Sequence, residues 1–309
     1  MNRFAVGVVC ALIGAASWGF SGTCAQYLFA HCEISSLFIT VVRGLGAGAL
    51  FLIVCLARHR STILAMLHDR PTRWRLLVFG CAGIYFAQLL YLVCIDYTNA
   101  GTATVLQALN VVFVLLFVCA TARRLPRLTE FIAILIAFCA VLLIATKGDF
   151  GSLQVSHVGL VFGILSAMTA AIYVAYPKKL FERWGSLPVT GLGMLASGIL
   201  ALVVFLGAGV LWDVTGGALG ESASLAPLSP DCVVVLALIV LVGTFASFGL
   251  YLHGVSIIGG VKGSLLGLAE PVSATVIASV WLGTAFTWAD WVGMALMMVT
   301  VLIVSLQKK

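Results

Sequence analysis

The chain has 309 residues, of which 62% are hydrophobic and only 9% are charged. Soluble domains carry about 25% charged residues, so this composition cannot cover a water-exposed surface. The formal net charge is +6, from 17 Lys and Arg against 11 Asp and Glu. The composition therefore excludes a soluble globular domain and predicts a protein embedded in a lipid bilayer.

Ten apolar segments follow one another along the chain. Each approaches the roughly 20 residues that a helix needs to cross about 30 Å of hydrocarbon. They comprise residues 4–29, 35–57, 74–95, 101–120, 128–146, 155–176, 189–210, 232–252, 261–282 and 287–306. Lipid offers no partner to backbone polar groups, so each segment must be a helix, and the alternating strands of a membrane barrel are not seen. The predicted fold class is an all-α integral membrane protein with ten transmembrane helices.

The two halves of the chain are weakly similar to each other. A shift of 160 positions superposes residues 90–92 on residues 250–252, Asn110 on Glu270 and Glu130 on Asp290. Because each half holds an odd number of segments, the two halves enter the membrane from opposite sides. Such inverted repeats are typical of secondary transporters. We therefore predict two five-helix repeats, residues 1–148 and residues 149–309.

Basic residues are concentrated in alternate loops. Arginines cluster after the second and fourth segments, Lys178, Lys179 and Arg183 follow the sixth, and the opposite loops offer only Lys147. The positive-inside rule then places both termini in the cytoplasm of a protein of the inner (plasma) membrane. This topology explains the net charge without a nucleic-acid partner, and membrane lipids with anionic headgroups are expected at the basic loops. The loop of residues 211–231, which contains Asp213, Glu221 and Asp231, is predicted to be external and mobile.

The chain has nine cysteines, most of them inside predicted helices, and no C-x-x-C motif. We interpret them as small packing residues. The adjacent residues His31, Cys32 and Glu33 cannot surround one ion well, so we expect no metal site. The phosphate-binding motif G-x-x-x-x-G-K-[ST] does not occur, so ATP is not the direct energy source and no cofactor is expected.

Two charged side chains, Arg43 and Glu270, lie at membrane depth. A charge at the bilayer centre costs about 2.5–3.5 kcal/mol on insertion scales, so one that persists normally faces a cavity or a partner. Pro271 follows Glu270 and lacks a backbone donor, so the helix should bend or open near Gly267. A carboxylate at such a break suits a binding site or a proton carrier. Two alternatives stay open: Glu270 could bond a neighbouring helix, and Arg43 could reach outward or tie two helices together.

Other polar and aromatic side chains recur at helical spacing and could line one cavity. The sets are Gln88 with Tyr91, Gln107 with Asn110, Ser166 with Thr169 and Tyr173, and Ser247 with Tyr251. The alternative is hydrogen bonding between helices, worth about 0.6 kcal/mol each, where Gly44, Gly46 and Gly48 allow close approach. We favour the cavity, and no catalytic residue is expected. The predicted substrate-binding residues are Trp18, Arg43, Gln88, Tyr91, Asn110, Tyr173, Tyr251 and Glu270.

Short motifs occur in a recognisable order along the chain. They are Ser17-Trp18-Gly19-Phe20, Arg43-Gly44, Glu270-Pro271, Trp281-Leu282-Gly283 and Trp291-Val292-Gly293. Together they resemble the drug/metabolite transporter superfamily, EamA type, over nearly the whole chain. The resemblance implies two inverted five-helix halves, a central cavity open alternately to each side, and small metabolites or drugs as substrates, often moved outward. This chain departs from the family at Thr284, where a glutamate is common, and at Asn110-Val111, which leaves Glu270 without an acidic twin.

The sequence thus predicts a secondary transporter that exports small polar or aromatic metabolites, such as amino acids, or drugs. Glu270 would serve a proton or a substrate ammonium, and Arg43 would attract a carboxylate; a homodimer stays open. The alternative class is an intramembrane enzyme, because Gly19-Phe20-Ser21-Gly22 matches the pattern of rhomboid-like serine proteases. His157 is the one base that the predicted topology allows to approach Ser21. A non-transporting membrane receptor is also compatible with the pattern.

Overall fold

The computed structural model describes residues 3–215 and 228–306, and over these ranges every regular element is helical. Ten helices are long and apolar enough to cross a membrane, which confirms the predicted fold class. They are α1 (Arg3–Cys32), α2 (Ser36–His68), α3 (Arg70–Tyr97), α4 (Ala100–Thr121), α5 (Leu128–Thr146), α6 (His157–Trp184), α7 (Ser186–Val214), α8 (Pro230–Ile258), α9 (Leu265–Leu282) and α10 (Trp288–Leu306).

Two predicted loops are partly helical. Helix α2 continues to His68, past a kink with non-helical backbone at His59, and Ile63 and Met66 of this extension are buried. Hydropathy missed the extension because it detects only the lipid-length part of a helix. Likewise, residues 211–215 continue the helix Ser186–Thr215, and α8 begins at Pro230, so both ends of the predicted mobile loop are helical. The remainder, residues 216–227 with Glu221, lies outside the described residues.

Corresponding helices of the two halves are interrupted at corresponding places. The helical stretch of α9 begins at Gly260 and breaks at Leu268, which gives Gly260–Gly267 and Ala269–Leu282. This confirms the break predicted from Pro271. Helix α4 breaks 160 positions earlier into Ala100–Gln107 and Asn110–Thr121, although no proline is present there. Helices α3 and α8 each contain a wider π-helical segment, Val78–Tyr85 and Leu241–Ala246. These irregularities therefore belong to the repeated architecture.

The helices pack across the two halves. Helix α1 packs against α8 and α9, which we call the first bundle, and α6 packs against α3 and α4, which we call the second bundle. Helix α2 packs along α7, and α5 along α10. Glycine makes the α2–α7 contact close: an ideal Cβ on Gly44 would lie 2.6 Å from the Gly198 Cα, and one on Gly48 would lie 2.9 Å from the Leu195 Cα. The close approach predicted for this glycine run is confirmed at both positions.

The two faces of the helix bundle differ in how they are closed. We call the face where α1 ends the Cys32 face and the opposite one the Arg3 face. On the Cys32 face a disulfide joins Cys32 of α1 to Cys232 of α8, with Cα atoms 6.2 Å apart. The interpretation of these two cysteines as packing residues was therefore wrong, because their 200-residue separation gives no sequence signal for pairing.

The two bundles contact each other chiefly at the Cys32 face. The segment Ala100–Gln107 of α4 packs against both α1 and the segment Ala269–Leu282 of α9. The other halves of these helices pack elsewhere: Asn110–Thr121 chiefly against α6, and Gly260–Gly267 against α1, α8 and α10. The contacts between the two bundles are therefore concentrated toward the Cys32 face.

Candidate functional site

Arg43 lies within the protein at the contact of α2 with α8. Its residue surface is only 8% exposed, and its Nε donates a hydrogen bond to Thr244 Oγ1 at 2.9 Å. Thr244 belongs to the π-helical segment of α8 and is fully buried, and its hydroxyl donates to the Ile239 carbonyl at 2.9 Å. Arg43 therefore ties two helices together and does not reach outward to the lipid surface.

Glu270 lies in the first turn after the break in α9, where the helix N-terminus favours a negative charge. Helix α1 crosses this turn closely, because an ideal Cβ on Gly19 would lie 2.6 Å from the Ala274 backbone nitrogen. The Ser273 hydroxyl reaches the carbonyls of Glu270, at 2.9 Å, and Ala16, at 3.1 Å. Both contacts fix the backbone of the break against α1. The Glu270 side chain itself is half-buried.

The two charges interact without forming an ion pair. Arg43 and Glu270 lie close enough for their charges to interact, and the Tyr91 and Tyr173 hydroxyls lie near both. Within the described ranges the ion pairs join Arg124 to Glu130, Lys147 to Asp290 and Arg183 to Asp69, so Arg43 and Glu270 remain separate. Opposite charges held apart at membrane depth can each bind one end of a ligand that carries both charges.

An aromatic cluster lies beside these charges. The Trp18 ring is 4.7 Å from that of Tyr251 and 5.0 Å from that of Phe248, measured between centroids. Tyr173 continues the cluster, 6.3 Å from Phe248, and Tyr251 lies near Glu270. The Tyr251 hydroxyl donates to the Gly263 carbonyl at 3.1 Å. The first bundle thus contributes three rings and the second bundle one to a single apolar wall.

Several buried polar atoms near this wall have no hydrogen-bond partner among the described residues. They include Trp18 Nε1, Gln88 Oε1 and the Tyr91 hydroxyl. The Tyr91 hydroxyl lies directly against α1, 2.5 Å from an ideal Cβ on Gly22. Gln88 Nε2 donates to Met194 Sδ at 3.3 Å, a weak acceptor. An unsatisfied buried polar group costs about 1–3 kcal/mol, so these atoms are suited to bind polar groups of a ligand or ordered water.

Seven of the eight predicted binding residues fall in this region, and Asn110 is less closely associated with it. Trp18, Arg43, Tyr91, Tyr173, Tyr251 and Glu270 are joined by ring contacts or electrostatic interactions, and Gln88 lies one turn before Tyr91. Asn110 is the first residue after the break in α4, half-buried, and its side chain makes no hydrogen bond to another described residue.

Other members of the predicted polar stripes are satisfied within the helix bundle. Gln107 Nε2 donates to Ser166 Oγ at 2.7 Å, the Thr169 hydroxyl donates to the Leu165 carbonyl at 3.1 Å, and the Ser247 hydroxyl donates to the Gly243 carbonyl at 2.9 Å. The hydroxyls of Ser166, Thr169 and Ser247 thus bind neighbouring backbone or the Gln107 amide.

Sequence reasoning missed Thr244 and Phe248, both on α8. Their neighbours Ser247 and Tyr251 had indicated this face of the helix, but a single Thr or Phe in an apolar segment gives no signal of its own. The π-helical segment, which turns Thr244 toward Arg43, had no sequence signal that we recognised.

The protease alternative lacks its central contact. The Ser21 hydroxyl packs against Gly243 and has no hydrogen-bond partner, so no nucleophile–base pair is formed within the part of the chain that the structure describes. Cys32 is held in the disulfide and cannot act as a thiolate ligand. No group of three or more His, Cys, Asp or Glu residues suited to a metal ion occurs among residues 3–215 and 228–306.

Ten spanning helices in two inverted halves, with charges and aromatic rings at mid-depth, define a multi-pass membrane protein of the transporter class. The model of the EamA-like transporter family matches residues 5–146 and again residues 157–306. The chain belongs to the EamA-like transporter family.

Its relatives are known as transporters by name. The chain is 34% identical to an uncharacterized inner membrane transporter, YicL, of Salmonella typhimurium, over 98% of this chain and 96% of the relative. It is 22% identical to an uncharacterized transporter, YwfM, of Bacillus subtilis, over 95% of this chain and 92% of that relative. A crystal structure with 18% identity covers 98% of this chain and 95% of its own chain with a TM-score of 0.61, which shows a common fold.

Proposed function

We propose that the protein is a secondary transporter that exports small polar or aromatic metabolites, with amino acids and related compounds as the best-fitting class. The observation that carries this proposal is the separated pair of Arg43 and Glu270 beside the aromatic wall. A zwitterion matches this arrangement, because its carboxylate can bind the guanidinium while its ammonium binds the carboxylate. Trp18, Tyr173 and Tyr251 would contact its apolar part.

The Arg3 face is proposed to be cytoplasmic, with both termini on the cytoplasmic side of the plasma membrane. Two independent features support this orientation. Most arginines between spans lie on this face, and the disulfide lies on the opposite face, as expected where the compartment is oxidising. Exposed arginines such as Arg58 and Arg73 are then positioned to contact anionic lipid headgroups.

Orientation can be measured with single cysteines in a background that lacks the other free cysteines. Cysteine at Ser152 should react with an impermeant maleimide added to intact cells, and cysteine at Ser61 should not. Labelling at Ser61 alone would reverse the orientation.

Alternating access would follow from the two bundles. In the conformation described, the contacts between the two bundles lie chiefly at the Cys32 face. We propose that rocking of the two bundles closes the Arg3 face and opens the Cys32 face, while the substrate stays between Arg43 and Glu270. Glu270 would pair with the substrate ammonium or carry a proton in exchange.

Thermal unfolding of the purified protein tests the substrate class. The probes are L-phenylalanine, its methyl ester, which lacks the carboxylate, and N-acetyl-L-phenylalanine, which lacks the ammonium. A ligand that binds the folded state raises the melting temperature by mass action, so L-phenylalanine should give the largest shift. Flux of labelled L-phenylalanine from liposomes then distinguishes transport from binding alone. Equal shifts with all three compounds would contradict recognition of both charges.

A further inference from the structure

This inference concerns how Thr244 orients the Arg43 guanidinium, and it rests on the proposed function. A hydroxyl has one proton, and the Thr244 proton is donated to the Ile239 carbonyl at 2.9 Å. The hydroxyl oxygen is therefore an acceptor for Arg43 Nε, also at 2.9 Å. In an ordinary α-helix a threonine hydroxyl bonds the carbonyl four residues earlier, whereas here it bonds the fifth, which the wider π turn permits.

This bond determines which edge of the guanidinium stays free. A guanidinium can bind a carboxylate with two parallel hydrogen bonds, through either its Nε–Nη edge or its Nη–Nη edge. Because Nε is bound to Thr244, the free edge is the Nη1–Nη2 edge. We propose that Thr244 is a positioning residue that holds this edge toward the space shared with Glu270, and that it thereby selects substrates with a carboxylate.

The test compares Thr244→Val, which keeps the shape but cannot accept a hydrogen bond, with Thr244→Ser, which keeps the hydroxyl. Affinities for L-phenylalanine and its methyl ester are measured for each variant. Thr244→Val should bind the acid about tenfold more weakly and the ester about as well as wild type, and Thr244→Ser should restore binding of the acid.

The outcomes separate this inference from the proposed function. If wild type binds acid and ester equally, or neither, carboxylate recognition fails and the role of Thr244 fails with it. If wild type prefers the acid and Thr244→Val keeps that preference, the proposed function stands and the positioning role is overturned. Equal weakening of both compounds in Thr244→Val would indicate a structural role and would also overturn it.

A second inference concerns Gln26, on the Cys32 face, and does not depend on the substrate. Gln26 Oε1 accepts a hydrogen bond from the backbone nitrogen of Ala100, the first residue of α4, at 2.9 Å. Its Nε2 donates to Thr284 Oγ1, just beyond α9, also at 2.9 Å. One amide of the first bundle thus joins the second bundle and the segment that follows α9.

The surroundings of Gln26 show that the bundles are tightly closed at this level. An ideal Cβ on Gly101 of α4 would lie 2.8 Å from Phe286 Cε1, and the same position lies 2.8 Å from Thr275 Oγ1 of α9. Thr102, only 3% exposed, lines a small pocket nearby, and within the part of the chain that the structure describes its hydroxyl has no hydrogen-bond partner. The geometry points to Gln26 as the latch that keeps the site closed at the Cys32 face.

Accessibility of Thr102 tests the latch. Cysteine at Thr102 is placed in a protein without the seven free cysteines, and right-side-out membrane vesicles are treated with an impermeant maleimide. Labelling should be slow with Gln26 present. It should become about tenfold faster in Gln26→Met, which keeps the length of the side chain and loses both hydrogen bonds, a factor equivalent to about 1.4 kcal/mol. Thr284→Val, which removes one of the two bonds, should give a smaller increase.

Cysteine at Ala137, 1% exposed in the packing of α5, is the control for general loosening. It should stay unlabelled in every variant. Unchanged labelling of the Thr102 position in both Gln26→Met and Thr284→Val would overturn the latch. A parallel rise at the Ala137 position would also overturn it, because the bonds would then support the whole bundle and not one closure.

Discussion

The two halves of the chain join matching helix ends with different chemistry. On the Cys32 face, the end of α1 is linked to the start of α8 by the Cys32–Cys232 disulfide. On the Arg3 face, the end of α6 meets the start of α3 without a covalent bond, because Trp184 Nε1 donates to Thr72 Oγ1 at 3.0 Å. Disulfides persist only in oxidising compartments, so the difference follows the proposed sidedness of the membrane.

The helix termini of the two halves repeat more closely. Glu130 accepts a hydrogen bond from the Arg127 nitrogen at 2.6 Å, and Asp290 accepts one from the Thr287 nitrogen at 2.8 Å. The two donors are 160 positions apart in the sequence, and so are the two acceptors. The alignment of Glu130 with Asp290 in the repeat therefore reflects a repeated capping arrangement. The repeat therefore preserves backbone geometry with little change.

The charges at the centre do not repeat. The break in α4 carries Asn110 where the break in α9 carries Glu270, and α7 has no counterpart of Arg43, since its one charged residue is Asp213 near its end. A symmetric scaffold thus holds an asymmetric site. Function should accordingly be sensitive to the charge in one half and tolerant of change at the matching position in the other.

Glu270→Gln should have the largest effect. If Glu270 couples protons to substrate, the variant should keep binding and exchange but lose uphill transport driven by a pH gradient. If it binds the substrate ammonium, binding itself should collapse. Liposome flux and thermal shift with L-phenylalanine distinguish the two. The matched control is Asn110→Asp combined with Glu270→Asn, which moves the carboxylate to the other half and should not restore transport, because Arg43 is held by Thr244 of α8.

Gradient-driven uptake at the wild-type rate by well-folded Glu270→Gln would eliminate both roles. It would leave the carboxylate as part of the helix break alone, and the asymmetry between the two halves would then have no functional meaning.

Tyr91→Phe should separate stability from function. The Tyr91 hydroxyl is buried and has no hydrogen-bond partner in residues 3–215 and 228–306, so its removal should leave the melting temperature unchanged or raised. Transport should nevertheless fall, by about tenfold if the hydroxyl bonds the substrate.

Gln88→Ala and Asn110→Ala should lower flux while the amount of folded protein stays within about twofold, with a smaller effect expected for Asn110. If all three variants yield much less folded protein, and each folded molecule transports at the normal rate, these residues have a structural role and do not bind the substrate.

Much of this arrangement was predictable because lipid imposes strong rules on a sequence. Segment length and the absence of backbone partners determine ten helices, and the cost of buried charge identifies Arg43 and Glu270. Pro271 predicts the break in α9. The break in α4 has no such residue to signal it. The sequence gives no signal for Thr244, Gln26 or the Cys32–Cys232 pair, because their roles depend on contacts between distant positions. Three of these contacts join residues 200 or more positions apart, and the contact of Gln26 with Ala100 joins residues 74 positions apart.

Removing the disulfide should destabilise the protein more than weakening the matching junction. Cys32→Ser combined with Cys232→Ser should lower the free energy of unfolding by about 2–4 kcal/mol, since the bond restricts the unfolded chain. Thr72→Val, at the junction of α6 with α3, should cost about 1–2 kcal/mol. Thermal unfolding in detergent, with and without reductant, measures both. Equal losses, or no response of wild type to reductant, would contradict the contrast between the two junctions.

The smallest effect is expected from pH at the Arg3-face junction. Asp69 Oδ2 accepts hydrogen bonds from the Thr72 hydroxyl at 2.5 Å and from Arg183 Nη1 at 3.2 Å. The Thr72 hydrogen bond above all, and then the Arg183 charge, lower the pKa of Asp69 below its usual value. A lowered pKa in the folded state stabilises the protein above the unfolded pKa, about 3.9 for Asp. That contribution is lost as pH falls through the folded value.

Asp69→Asn should therefore lower the melting temperature slightly at neutral pH, and the difference from wild type should vanish as the pH is lowered through this acidic window. The difference should also shrink with salt, because the Arg183 side chain is 57% exposed and its charge is screened. Arg183→Gln is the matched control: it removes the partner charge and keeps the Thr72 hydrogen bond, so it should reproduce only part of the loss. A difference between wild type and Asp69→Asn that persists unchanged at the lowest pH would show that the carboxylate charge does not stabilise this junction.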